Sequence, residues 1–236
     1  MATYRADCHL HSCLSPCGDL ESSPTAIVDR ATSLGLDLIA LTDHNSALNC
    51  PTFEQAASRA GIAALSGIEA TTSEEVHVLC LFEKAEQALE LGRRIYEALP
   101  EVPLRPERYG DQVYVDLDEM ILGTVDTHLI YGCAYSMDEL RALVGELGGL
   151  FVPAHIDRTV NSVYSQLGFL PEGPYDAVEV TRRPCPLDTH GHTRISNSDA
   201  HFLDDIGARS FSFEAQQADF HGLKEALARG ATSLSL

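Results

Sequence analysis

The sequence predicts an α/β protein, a parallel sheet with helices packed on its outer side. Short apolar runs of strand length occur at 3–8, 38–41, 62–66, 76–82, 150–153, 177–180, 194–198 and 209–213. Amphipathic stretches with helical spacing lie between several of them. Strands alternating with helices argue for parallel pairing, because each crossover helix covers the sheet it leaves.

The elements follow in order. Ser23-Pro24 caps and opens a helix with Ile27, Ala31 and Leu34 on one face, and Gly35 closes it. A second helix runs through Ala85, Ala88, Leu89 and Ile95. Ser136 and Glu139 form a capping box ahead of Leu140, Leu143, Val144 and Leu147, and Gly148 stops that helix. The last helix carries Phe220, Leu223 and Leu227, with Gly230 behind it. The stretch from about 100 to 135 breaks the rhythm: Pro100, Pro103 and Pro106 precede a run that fits neither period. It reads as an excursion within one domain spanning 1–236, lying over an active face or forming a plain surface loop.

Composition narrows the function. With 16 Lys+Arg against 35 Asp+Glu, the 236-residue chain carries a formal charge of −19. That counts against long nucleic acid and anionic membrane as partners, since both need basic surface. Hydrophobic residues at 44% and charged residues at 22% exclude global disorder. No signal-like start and no run of about 20 apolar residues is present. The seven cysteines contain no C-x-x-C pair, so a cytoplasmic protein with reduced thiols is expected.

The chemistry gathers where the apolar runs end. Asp7-Cys8-His9-Leu10-His11 closes the first, Thr42-Asp43-His44 the second and Gly67-Ile68-Glu69 the third. Pro153-Ala154-His155 and Ser198-Asp199-Ala200-His201 close later ones. In a parallel barrel such positions share one face, and alternate strand residues point the same way. One histidine at a strand end is usually a satisfied polar group. Five strand ends repeating the pattern point instead to a site for Zn, Mn or Fe. His77 begins a run, but a hairpin with its tip at Ser73-Glu74-Glu75 would return it beside Glu69. Asp43, next to His44, is placed to hold the second nitrogen of a histidine.

Taken in order, D-x-H-x-H at 7–11, T-D-H-N at 42–45, G-I-E at 67–69, His77, P-A-H at 153–155 and S-D-A-H at 198–201 resemble the PHP (polymerase and histidinol phosphatase) family of metal-dependent phosphoesterases. The resemblance implies a distorted (β/α)7 TIM-like barrel with its metal site at the C-terminal ends of the strands. It implies ligands at His9, His11, His44, Glu69, His77, His155, Asp199 and His201, and a ninth after H-x-H. Asp19 is the choice for that ninth position, with Cys17 and Glu21 as alternatives. Two or three divalent transition metals are then expected, with Glu69 bridging a pair. A metal-bound hydroxide held by Glu69, His9, His11 and Asp199 would attack the phosphorus of a small phosphorylated substrate.

Arg158, Arg182 and Arg183 follow active-face strand ends and are candidates for binding phosphate through guanidinium forks. His190-Gly191-His192 precedes a strand and reads as a solvated loop; His128 and His221 lack partners at ligand spacing. Two other readings are an amidohydrolase-type metal hydrolase and a non-catalytic or nuclease-associated PHP module. Only Lys84 and Lys224 exist to supply the carboxylated lysine of the former, and a full ligand set argues against the latter.

Overall fold

Apolar alternation, caps and glycine stops build the elements of this computed structural model, which describes residues 1–235. In chain order they are β1 (Ala2–Leu10), α1 (Pro24–Ser33), β2 (Leu38–Leu41), α2 (Cys50–Ala60), β3 (Ala63–Thr71), β4 (His77–Phe82), α3 (Ala85–Glu97), α4 (Pro106–Tyr109), β5 (Val113–Val115) and β6 (Ile121–Thr124). Then come α5 (Met137–Glu146), β7 (Leu150–Pro153), α6 (Val163–Leu167), β8 (Val178–Glu179), β9 (Arg194–Ile195), β10 (Ser210–Ala215), α7 (Phe220–Arg229) and β11 (Thr232–Ser235). Ser23 accepts the Ala26 N–H at the start of α1, and Ser136 with Glu139 completes the capping box of α5.

Seven strands form one curled sheet in the order β11-β10-β1-β2-β3-β4-β7. Only its centre is parallel: β1, β2 and β3 run together, while β4 and β10 are antiparallel to their neighbours. The hairpin read at Ser73-Glu74-Glu75 is present, and the parallel expectation is corrected at β10, which runs against β1. The Thr72–Val76 hairpin brings β4 straight back along β3, leaving no room for a crossover helix. The curl continues past β7, where the Ile156 N–H donates to the Glu179 carbonyl and joins the β8–β9 pair. The end after β9 returns to β1: the Cys8 N–H donates to Asn197 Oδ1 and the His11 N–H to the Ala200 carbonyl. The result is a distorted barrel, as the motifs imply.

Two apolar layers follow from the alternation. Ala6, Cys8, Leu38, Ala40, Leu65, Leu79, Leu81 and Val152 fill the inside with Phe211 and Phe213. Ile39, Leu41, Ile68, Val78 and Phe82 face outward against Phe53, Leu91 and Ile95 of the covering helices. Gly67 is required where β3 crosses: a Cβ there would meet the Cys80 carbonyl oxygen and the Thr42 methyl, each at 2.9 Å. The excursion carries α4 and the β5–β6 hairpin. It is anchored by Asn49, whose side chain bonds the Val115 N–H, the Val113 carbonyl and Ser12 Oγ.

Candidate metal centre

The centre begins with an irregularity in β1. Asp7 pairs with Ile39 but Leu10 with Leu41, so one extra residue bulges between them. Ala6 and Cys8 face the barrel interior, and the bulge turns His9 and His11 to that same side while Leu10 joins the outer layer. Simple alternation along Asp7-x-His9-x-His11 is therefore broken at the site. Asp7 instead holds the 198–207 loop, accepting from the Ser198 N–H and hydroxyl and the Gly207 N–H. Burial pushes its carboxyl up to about 6.

Glu69 stands at the middle. Its Oε1 lies 2.8 Å from His77 Nδ1 and 3.0 Å from His155 Nε2. Its Oε2 lies 3.3 Å from His9 Nε2, 3.3 Å from His11 Nε2 and 3.1 Å from His44 Nδ1. Asp199 Oδ1 completes one side, 3.3 Å from His9 Nε2 and 3.2 Å from His11 Nε2. His201 joins His11 and His44, its ring stacked on His11 with centroids 4.1 Å apart. The hairpin predicted from Ser73-Glu74-Glu75 does set His77 beside Glu69.

The donor set suits cations. His9 Nε2, His11 Nε2, His44 Nδ1, His77 Nε2 and His155 Nδ1 are buried without a hydrogen-bond partner, although buried polar atoms ordinarily find one. Atoms coordinated at about 2.0–2.2 Å to a single ion sit roughly 3.0–3.6 Å apart, the range of the separations around Glu69 Oε2 and Asp199 Oδ1. Three groups of converging ligand atoms result: His9–His11–Glu69–Asp199, His44–Glu69–His77 and His11–His44–His201.

The surrounding hydrogen bonds fix which nitrogen faces inward. Glu179 accepts from His9 Nδ1 at 3.1 Å, leaving Nε2 with its lone pair. Ser15 Oγ gives its one proton to Asp43, so it accepts from His11 Nδ1 at 2.9 Å. The Asp199 carbonyl accepts from His201 Nδ1. Asp43 thus reaches a histidine only through Ser15, and not directly as predicted. Glu179 was missed by the sequence reading; its signal is a lone acid inside the apolar run at 177–180. It also accepts from the His155 N–H and from Asn197 Nδ2.

The electrostatics are those of a cation site. Burial would raise the Glu69 carboxyl, but His77, His9 and His44 outweigh it and hold it well below the usual range. Asp199 is likewise held low, as burial is overcome chiefly by His9 and His11. Burial and neighbouring histidines drive His44 well down, and burial with His11 brings His201 to about 4. Burial would lower His9 and His11 too, but Glu179, Asp199 and Glu69 outweigh it and raise His9 well up, and Asp199 and Glu69 bring His11 to about 9. The carboxylates, His44 and His201 thus stand in the forms that bind metal, while His9 and His11 hold protons that a cation would displace.

The remaining predicted residues divide. Arg158 reaches the site, its Nη1 2.5 Å from Asp199 Oδ2. Arg182 and Arg183 do not: they line a separate cleft with Arg194. The Asp157 carboxylate holds the Thr181 and Arg182 backbone, and this turns the chain outward after β8. Asp19 uses its Oδ1 on the Glu21 N–H and lies outside the converging groups. Cys17 stands at the rim, open to solvent on one side. Surrounding protein and then the charges of Glu69 and Asp199 push its thiol up to about 12. His190 is exposed, His221 lies beside Glu83, and His128 is buried between Tyr109 and Tyr131.

Over residues 7–157 the sequence matches the PHP domain. The chain belongs to the PHP domain family. Two curated proteins are similar to this PHP chain over shorter stretches. A 5'-3' exoribonuclease of Haemophilus influenzae is 33% identical over 115 residues, 47% of this chain and 40% of that protein. A 3',5'-nucleoside bisphosphate phosphatase of Chromobacterium violaceum is 38% identical over 90 residues, 36% of this chain and 30% of that protein. This PHP chain therefore matches well under half the length of either relative. Among solved structures, the lesion-specific endonuclease Q of Pyrococcus furiosus shares the fold. It gives a TM-score of 0.72 at 18% identity, covering 100% of this chain and 58% of the endonuclease.

Proposed function

We propose that this PHP chain is a metal-dependent phosphoesterase whose substrate is a small phosphomonoester or nucleotide-type phosphoester. The observation that carries the reading is the convergence of His9 Nε2, His11 Nε2 and His44 Nδ1, buried without hydrogen-bond partners, on Glu69 Oε2, beside Asp199 and a guanidinium. His9, His11, His44, Glu69, His77, His155, Asp199 and His201 would hold two or three divalent ions, with Glu69 common to two of the converging groups. Zn, Mn and Fe suit the imidazole and carboxylate donors. When bound, such ions neutralise phosphoryl oxygens and lower the pKa of a water toward neutrality.

The rest of the work falls to the chain. Glu179, Ser15 and the Asp199 carbonyl hold three histidines in the tautomer that presents a lone pair inward. Arg158 is 42% exposed at its side chain, so its guanidinium can meet a substrate, while Asp199 fixes where it stands. A fork in that place binds two phosphoryl oxygens at once. The named activities of the two relatives both concern phosphoesters of nucleotides or RNA, which supports a nucleotide-type substrate. The fold also occurs in an endonuclease solved with a 27-mer duplex, so net charge alone does not decide against polynucleotide.

The test is a panel of phosphomonoesters, phosphodiesters and nucleotides offered to the Mn-, Fe- or Zn-loaded chain, with Arg158→Ala alongside. Phosphate release from at least one class is expected. The variant should keep its metal and lose roughly tenfold to a hundredfold in kcat/KM, the worth of a hydrogen bond to a charged group. Arg158→Lys should recover part of this, since charge returns without the fork. A metal-loaded chain inert toward every phosphoester would refute the reading. An Arg158→Ala variant that hydrolyses at the full rate would refute the role given to Arg158 and leave phosphate binding to the metals alone.

A further inference from the structure

Three arginines converge where nothing in the metal centre needs them. Arg182, Arg183 and Arg194 line a cleft of about 600 Å³ beside β8, β9 and β11, and no carboxylate is among the described residues that line it. This is unusual company in a chain with 35 acids against 16 Lys+Arg. Elsewhere Arg30, Arg93, Arg94, Arg141 and Arg158 each pair with an acid, and Arg5, Arg209 and Arg229 bond neutral oxygens. Arg59, Arg105 and Arg108 have no such partner among the described residues. Among the described residues the three cleft guanidinium groups have neither an ion pair nor a hydrogen bond. Burial first, and then the charge of Arg194, lower the pKa of Arg183, so at least two of the cations feel one another. Like charges held together without a counter-charge are destabilising, and an anion between them removes that cost.

The cleft is also joined to the metal centre by the backbone. Asp157 accepts from the Arg182 N–H through Oδ2 at 2.8 Å, and Asp157 directly precedes Arg158, whose side chain stands at Asp199. The cleft's first arginine is thus tied through its backbone to the residue that precedes Arg158. We infer that Arg182, Arg183 and Arg194 form a subsite for phosphate groups lying beyond the one at the metal centre, and that the substrate is a molecule carrying several phosphates in series, a short oligonucleotide. This deepens the phosphoesterase reading and rests on it for the role of the centre, but binding in the cleft can be measured without turnover.

A fluorescent tetranucleotide with phosphorothioate linkages, which resist hydrolysis, is titrated with the metal-loaded full chain and followed by anisotropy. Arg183→Ala/Arg194→Ala should raise Kd at least tenfold. It should also flatten the slope of log K against log salt by about 1.4, two contacts at about 0.7 each for a single strand. Arg183→Lys/Arg194→Lys, which keeps the charge, should retain most of the salt slope. Hydrolysis of a single-phosphate aryl ester by Arg194→Ala should proceed at the parent rate. Inorganic phosphate and a mononucleotide serve as competitors: displacement only at far higher concentration identifies the oligonucleotide as the ligand. Equal competition by free phosphate would overturn the oligonucleotide assignment, and unchanged tetranucleotide binding in the double variant would overturn the subsite. If the chain hydrolyses no phosphoester yet binds the tetranucleotide through these arginines, the phosphoesterase reading fails and the cleft stands.

Discussion

Glu69 and Glu179 are both buried glutamates among histidines, yet they face different jobs, and a change of one atom separates them. Glu69 directs each oxygen at a different set of imidazoles. An amide in its place offers one oxygen and one NH2, which cannot sit against a cation, so Glu69→Gln should lose metal and activity together. Glu179 touches the centre only through His9 Nδ1 and the His155 N–H. Glu179→Gln keeps an acceptor and the shape, so the chain should still load metal, with affinity lowered about tenfold to a hundredfold as for other groups that orient a ligating histidine. Metal titration of both variants by calorimetry checks the pair; equal losses in the two would place Glu179 among the direct ligands. Glu69 was legible in the sequence because it ends a strand run within a spaced motif. Glu179 was not, because a lone acid in a short apolar run has no partner at fixed spacing, and only the barrel closure brings it 170 positions away to His9.

At the scale of elements, the strand ends bearing the site could be read from apolar runs, but the direction of each strand could not. Side-chain alternation looks the same in parallel and antiparallel strands, so β10 passed as parallel until the pairing was seen, whereas the Ser73-Glu74-Glu75 tip made the reversal of β4 readable. The bulge in β1 was likewise hidden, since it is a property of the pairing with β2. Helix α2 carried a readable signal in Pro51 near its start and Gly61 in the left-handed conformation at its end, but its apolar face is broken by polar residues. The excursion over 100–135 fitted neither period because its hairpin is held by side chains from elsewhere. Asn49, fully buried, is the main tie, bonding the Val115 N–H at 3.0 Å, Ser12 Oγ at 2.9 Å and the Val113 carbonyl at 3.3 Å. Asn49→Ala strands these groups away from water, and the expected loss is about 2–4 kcal/mol of unfolding free energy. Urea titration of the metal-loaded variant measures it. A loss under about 0.5 kcal/mol would mean that the hairpin is secured by its apolar contacts instead.

For the molecule as a whole, the arrangement at the barrel mouth sets stability against function. Gathering five partnerless imidazole nitrogens and two ionised carboxylates in one buried volume costs free energy, because each of those nitrogens left water without finding a protein partner and the carboxylates gave up much of their hydration. The apolar layers inside and outside the sheet offset that cost, and a ligand that binds only the folded chain offsets it further. Divalent cations held by this donor set should therefore stabilise the fold as well as equip it for chemistry. At a free concentration a hundred times Kd one ion contributes about 2.7 kcal/mol. For a chain of this length that corresponds to a rise in Tm of roughly 5–10 °C. Native mass spectrometry of the protein purified without chelator should show two or three transition-metal ions per chain, and chelation should lower Tm by about that amount, with re-addition of the metal restoring it. The Glu69→Gln chain is the internal control, since its Tm should hardly respond to chelator. A parent chain that holds two or three ions but melts at the same temperature after they are removed would place those ions outside the centre around Glu69. A single ion at full occupancy would leave two of the three converging groups without a cation and confine the chemistry to a mononuclear site.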